Sequence, residues 1–370
     1  MDDMAAAIGA PAYGLKVVCA VLATAFFPDR FSGMTALMEE PDDDHMHPPL
    51  LFGRILDGEG GGKPLDWDEV QTWEPEPGGE VLWIHLNRTH PDVQGWLMEK
   101  LAIPEPTAEL LTSDSTRPRA FRDGNTLIAT LRGINFNPGA EPEDMLSMQL
   151  WTDGRRIVTL RRLPLQTPRM TCNEVDAGTG PNDVGSLITS LTEHLIDRMS
   201  HSIIDMNEAI DELEDADPDE DAEERLDKIA TIRRNCLGLK RHMSPQHEAL
   251  QAIANNAPHW FEDHDRREIA ETIERLRRYL DDLDISKESA LVLQDDIRAR
   301  AAARTEQTQN MLTIVAGIFL PLSFITGLLG INVGDIPLAT PGSHGFWIVV
   351  GLCIGIFAVE LLIARKLKWI

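Results

Sequence analysis

Two uninterrupted apolar runs close to the C-terminus, Met311–Leu329 and Phe346–Ala364, limit what this chain can fold into more than any other feature. Each is near the roughly 20 residues a helix needs to cross the hydrocarbon core of a bilayer. Neither holds Lys, Arg or Asp, and their single carboxylate is Glu360. The pair predicts a membrane hairpin: a first transmembrane helix over 311–333, an external loop over 334–345, a second helix over 346–364 and a basic tail over 365–370. Flanking charge orients it. Arg298, Arg300 and Arg304 precede the first run and Arg365, Lys366 and Lys368 follow the second, whereas Val333–Gly345 carries only Asp335 and His344. By the positive-inside rule both flanks, and so both termini, are expected on the cytoplasmic side of the cell inner membrane.

The body before the hairpin is acidic, and the whole chain of 370 residues has a formal net charge of -26. Such a surface repels nucleic acid and anionic lipid and concentrates cations, so divalent cations are expected partners and nucleic acid is not. Cys19, Cys172, Cys236 and Cys353 are scattered with no C-x-x-C spacing, which argues against a zinc knuckle or a disulfide scaffold and suits a reducing compartment. No G-x-S-x-G, Walker A or H-E-x-x-H pattern is present, so neither enzyme activity nor an organic cofactor is expected.

Along the chain, residues 1–49 are expected to be a poorly ordered extension, because 39–49 are polar and proline-rich. Val17–Phe27 resembles the apolar region of a signal peptide. Asp2 and Asp3 are wrong for its start, and a secreted body would contradict the flanking charges, so Met38 is a second candidate start. Residues 50–163 read as an α/β domain with a mixed or antiparallel sheet. Strands are predicted at Leu50–Leu56, Val81–Leu86, Thr126–Ile134, Met145–Trp151 and Arg156–Leu160, and helices at Pro91–Leu101 and Pro104–Leu111. Asp153-Gly154 predicts a tight hairpin turn.

The Gly/Pro/Thr-rich stretch 164–181 reads as a linker, and 182–310 as a stalk of long helices. Asn182–Ala216 has one repeating apolar face, and a second helix returns over about 219–255. In the third, Ile269, Ile273, Leu276, Leu280 and Leu283 step by 4-3-4-3, the spacing of a coiled-coil seam. No Gly or Pro lies between Phe261 and Ala316, so 261–329 predict a rod of roughly 100 Å running into the membrane. A rod of that length needs partners that one chain cannot supply.

Within the first apolar run, Gln309, Leu312, Ala316, Leu320 and Ser323 recur at steps of 3, 4, 4 and 3 and share one helical face. Glu306 extends this face by a turn toward the cytoplasm, and Thr313 belongs to it. One helix makes no pore. Several copies about an axis could, with rings of Ser323 and Gln309 replacing water around an ion and Leu320 as an apolar constriction. Helix packing accounts for the same spacing equally well, since Ser and Thr bond to backbone or to neighbours in membrane helices. Gly351-x-x-x-Gly355 gives the second run a close-packing face.

The stretch LTIVAGIFLPLSFITGLLGIN, a short loop, a second span and the basic end RKLKWI together resemble the CorA-type divalent-metal transporter family. Most of that family ends its first span in Gly-Met-Asn. This chain reads Gly330-Ile331-Asn332, similar to the ZntB-like zinc transporter branch, and TRPRAF and LRGINFNPGAEPEDMLSMQLW in the body resemble it too. The resemblance covers about residues 50–370 and implies a funnel-shaped homopentamer with an α+β cytoplasmic domain. First spans would line the pore and second spans would surround them. Gly330, Ile331 and Asn332 would form the selectivity element at the outer mouth, with Asn332 offering its amide oxygen to a hydrated ion. Arg365, Lys366 and Lys368 would form a basic collar opposite the acidic segment Asp215–Glu224.

The expected cargo is Zn2+, with proton coupling compatible and direction open. A Mg2+/Co2+ channel is the first alternative, and a membrane-anchored oligomeric scaffold without transport the second. For direct metal capture, Asn332, Asp335 and His344 are the candidates at the outer side, and Glu306 with Asp295 and Asp296 at the cytoplasmic entrance. His45 with His47, His194 with His201, His242 with His247 and His259 with His264 are near in sequence, and each reads more simply as a surface histidine.

Overall fold

Seven consecutive residues, Val81–Asn87, are buried on both faces, the signature of a central strand with helices on either side. The computed structural model describes residues 48–75, 80–141, 143–217, 221–330 and 345–366. Its strands are β1 (Leu50–Leu56), β2 (Gly62–Leu65), β3 (Val81–Asn87), β4 (Arg119–Asp123), β5 (Thr126–Gly133), β6 (Leu146–Thr152) and β7 (Arg156–Arg161). They form one sheet in the order β2-β1-β3-β7-β6-β5-β4. Only β3 and β7 run parallel, and the other neighbours are antiparallel.

Side-chain alternation splits the core in two. Leu82, Ile84 and Leu86 of β3 pack with Val158 and Leu160 of β7 under helices α2 (Pro91–Leu101) and α3 (Glu105–Thr112). A short α1 (Trp67–Thr72), closed by an Asp66/Glu69 capping box, precedes them in the chain. Trp83, Met148, Leu150 and Ile157 face the other way, against the helices that follow the sheet. His85 lies beneath Phe52 and against Thr159, and burial pushes its imidazole down to about 3, so it is neutral.

After the sheet come α4 (Gln166–Asp176), α5 (Val184–Asp197), α6 (Met199–Asp215), α7 (Ala222–Asn256), α8 (Asp263–Leu329) and α9 (Gly345–Lys366). α8 is one helix of 67 residues, roughly 100 Å long. The expected mixed sheet, very long helix and two C-terminal apolar helices are all present. The 4-3 seam extends beyond its predicted end: Ile269, Leu276, Leu283, Ala290 and Ile297, spaced by seven, are all buried.

Several details differ from the sequence expectation. The stretch 164–181 is not an irregular linker, because α4 occupies Gln166–Asp176 and buries Cys172 and Val175. Pro168 lies in its first turn, where a missing N–H costs nothing. A bidentate pair, Arg54 Nε and Nη2 to the Asp176 carboxylate at 2.7 and 2.8 Å, ties α4 to β1. Asn182–Ala216 is two helices rather than one, meeting at Arg198, whose guanidinium stacks on Phe136 at 4.3 Å and bonds to Gln166. β2 and β4 have no counterpart in the prediction. Both are edge strands, one containing Gly and Pro and the other reading RAFRD, and neither alternates. The Asp153-Gly154 turn is present, with the Asp153 carboxylate accepting from the Arg155 and Arg156 amides.

Candidate functional site

α7 and α8 run antiparallel: Arg266 donates to the carbonyl of Ala254, Lys240 pairs with Asp284 at 2.6 Å, and Arg233 donates to Gln294 at 2.7 Å. Continuing that register brings the start of α7, with Glu223 and Glu224 in its first turn, level with the last polar turns of α8 before Met311. An acidic hairpin end thus lies at the approach to the apolar run. Asp295 and Asp296 are exposed on α8 nearby, and Asp296 is held by Arg300 at 2.8 Å.

Beyond Ile297 the character of α8 changes. No described residue from Arg298 to Leu328 is buried, and both apolar windows of the chain are wholly unburied. Met311, Leu312, Phe319, Leu320 and Phe324 each leave 63% or more of their surface open. Water would not tolerate such a surface, and a bilayer or further chains must cover it.

Not all faces of this segment are equivalent. Ile314, Ile318, Leu322 and Ile325 are half-buried and form one stripe of α8, which touches α9. α9 presents Val349, Val350, Cys353 and Ile356 as its own half-buried stripe. At about 100° per residue, Glu306, Gln309, Leu312, Thr313, Ala316, Leu320 and Ser323 fall within an arc of about 120°. That arc is centred on the side of α8 opposite the Ile314–Ile325 stripe. All seven are exposed. The hydroxyl of Thr313 donates back to the Gln309 carbonyl at 2.8 Å, so its proton is used within the helix.

Gly330 closes α8, its N–H reaching the carbonyls of Thr326 and Gly327 at 3.0 and 3.1 Å. Ile331, Asn332, Asp335, His344 and Lys368 lie outside the described residues, as do His45, His47 and Cys19. Arg365 and Lys366 end α9 as an exposed basic pair. Gly351 and Gly355 face an open apolar groove with Leu352, Ile356 and Val359, and among the described residues an added Cβ at either would meet nothing within 4 Å.

Among the described residues, no group of three or more His, Cys, Asp or Glu side chains is placed to hold a metal. His194 is engaged by Glu174 at 3.2 Å and Thr171 at 3.0 Å, and His201 lies past the break at Arg198 on a different helix. His242 is pushed down to about 4 by burial and by Arg132 and Arg241. His264 pairs with Asp265 at 3.2 Å. Among the described residues, the histidine pairs near in sequence therefore belong to no cluster of three or more such ligands.

Fold and site define a class: an acidic α/β domain on a helical rod, ending in a membrane hairpin whose first helix has a weakly polar face turned away from the second. The profile of the family described as "CorA-like Mg2+ transporter protein" matches residues 78–366. The chain is 36% identical over 325 residues to "Divalent cation transporter CmaX" of Pseudomonas aeruginosa, covering 87% of this chain and 97% of that one. It is 34% identical over 296 residues to "Zinc transport protein ZntB" of Yersinia enterocolitica, covering 80% and 88%. The solved structure of full-length CmaX superposes with a TM-score of 0.75 at 34% identity, covering 90% of this chain and all of that one. The chain belongs to the CorA-like family of divalent-cation transporters.

Proposed function

We propose that this protein carries Zn2+ across the cell inner membrane as a homopentamer, with the face from Glu306 to Ser323 of each α8 turned toward a shared axis. The observation that carries this reading is the opposition of two faces on α8. One, from Ile314 to Ile325, is half-buried, and the other, holding Gln309, Thr313, Ala316 and Ser323, is exposed among the described residues. Copies arranged about an axis would direct the second face inward and place α9 outside, toward lipid. Asn332 would then ring the outer mouth with amide oxygens suited to a hydrated cation, and Leu320 would be the narrowest apolar ring, opening and closing by wetting. The acidic hairpin end before Met311 raises the cation concentration at the inner mouth. Arg365 and Lys366, with Lys368, form the collar around it, and both termini are cytoplasmic.

Zinc is supported by the Gly330-Ile331-Asn332 spelling and by the relatives whose names state zinc transport. A Mg2+/Co2+ channel is the second reading, favoured by the family description and by a relative named only for divalent cations. Amide oxygen rings suit hard hydrated ions as well. Uptake of Zn2+ and of Mg2+ into proteoliposomes, with and without a pH gradient, separates them. Zinc uptake that a proton gradient accelerates supports the first reading in full. Magnesium uptake without zinc uptake replaces it with the second, and no metal uptake leaves a scaffold.

A further inference from the structure

A second site stands in the α/β domain, away from the membrane and independent of the transport reading. β3 and β7 are the parallel pair of the sheet, and their chains leave to opposite faces: β3 into α2 and α3, β7 into α4. In open α/β sheets such a divergence opens a crevice at the carboxyl ends of the strands. Here it holds a cavity of about 160 Å³ lined by Arg88 at the end of β3, Arg162 just past β7, Arg132 near the end of β5, and Thr116, Met145 and Ser147.

Three guanidiniums in one small cavity are unexpected in a chain of net charge -26. Arg88 is only 5% exposed. Its Nη1 donates to the carbonyls of Thr112 and Ser113, its Nη2 to Asp114 Oδ1 at 3.2 Å, and its buried Nε has no partner among the described residues. Arg132 donates to the Thr116 carbonyl at 2.9 Å, to the Met145 carbonyl at 2.7 Å and to the Thr116 hydroxyl, and among the described residues it has no carboxylate partner. Asp114, which also meets Arg162 at 3.5 Å, has a side chain 83% exposed and is a weak counter-ion. Burial lowers the affinity of both Arg88 and Arg132 for their protons; at Arg88 the Asp114 carboxylate opposes this and Arg162 adds to it, and at Arg132 Arg241 adds to it. A buried Arg88 and a half-buried Arg132, held largely on carbonyls with one exposed carboxylate, Asp114, beside Arg88, invite an anion.

We propose that the crevice formed by Arg88, Arg132 and Arg162 binds a phosphate-class oxyanion, either free orthophosphate or the terminal phosphate of a small metabolite. The volume admits one tetrahedral oxyanion, while a nucleoside attached to it would have to remain outside. The fork geometry of arginine suits that shape better than lysine would.

The test uses the full-length chain in lipid nanodiscs and metal-free buffer, with binding measured by isothermal titration of orthophosphate and then of AMP in competition. Saturable binding of orthophosphate is expected, weakened about tenfold or more in both Arg162→Gln and Arg88→Lys and unchanged in the exposed control Arg278→Gln. Arg162 is half-exposed, so its variant keeps the fold even if Arg88→Lys does not. AMP displacing orthophosphate with higher affinity identifies a nucleotide as the source of the phosphate; orthophosphate alone identifies the free anion. No saturable binding of either ligand, binding unaltered in Arg162→Gln, or equal weakening in Arg278→Gln overturns the proposal. Because no metal is present, failure here leaves the transport reading intact, and failed metal uptake leaves this site intact.

Discussion

Gln246 of α7 holds both backbone groups of Arg132 in β5: its Oε1 accepts from the Arg132 N–H at 2.6 Å and its Nε2 donates to the Arg132 carbonyl at 2.8 Å. The β4–β5 ladder ends at Arg119↔Thr130, so the side chain supplies the next rung that β4 does not. Gln246 is fully buried. One amide thereby joins the sheet to the helix that packs along α8. Gln246→Leu keeps the bulk and leaves a buried donor and acceptor unpaired, with an expected loss of about 3 kcal/mol. Urea denaturation of the detergent-solubilised chain, followed by tryptophan fluorescence, measures it.

The turn at Gly154 gives a second prediction. Its φ is +89°, and a Cβ there would lie 2.4 Å from the indole of Trp260. That indole packs over the turn and donates to the Asn125 carbonyl at 3.0 Å. Gly154→Ala therefore meets backbone strain and a clash together, with an expected cost of about 2–3 kcal/mol. The melting temperature should fall accordingly, while Gly124→Ala, whose added Cβ meets nothing within 4 Å, should lose only the strain component.

Acid should loosen the tie between β1 and α4. The hydrogen bond from Arg54 holds the Asp176 carboxyl below its ordinary value of 3.8. A group depressed in the folded state stabilises above its unfolded pKa, and that stabilisation is lost as pH falls through the folded one. The stability difference between wild type and Asp176→Asn should be constant from neutral pH down to about 5 and shrink below about 4. Paired denaturation curves across that range check it. A difference that instead grows on acidification contradicts the assignment.

These contacts show which parts of the molecule were legible beforehand. The hairpin runs are continuously apolar, the strand Val81–Leu86 is apolar apart from His85, and the seam of α8 repeats at 4-3, so their type follows from hydropathy alone. Edge strands such as Arg119–Asp123 lack one buried face and left no pattern to read. α4 was hidden because its first turn carries Thr167 and Pro168, which read as loop although both are buried. The candidate conducting face was visible as spacing, but spacing does not distinguish a pore from a packing seam. The structure adds that Ile314, Ile318, Leu322 and Ile325 are half-buried on the opposite side of the helix. The arginine crevice left no sequence signal, since Arg88, Arg132 and Arg162 stand at or just past the ends of three different strands, β3, β5 and β7.

In the proposed pore, Leu320→Ala should widen the apolar ring and ease its wetting, raising the rate of metal uptake several-fold without altering the amount of protein inserted. Asn332→Ala should abolish discrimination between Zn2+ and Mg2+ or stop uptake altogether. Stopped-flow uptake with an entrapped fluorescent chelator reads both.

The opposition of faces on α8 is tested most directly by tryptophan substitution at Ala316 and at Ile318, two residues apart, followed by zinc uptake into proteoliposomes. Ala316→Trp is predicted to block uptake by filling the shared axis, and Ile318→Trp, against α9, to reduce it no more than a few-fold. Equal loss in the two variants, or wild-type liposomes no more permeable to zinc than empty ones, would contradict a pore lined by this face.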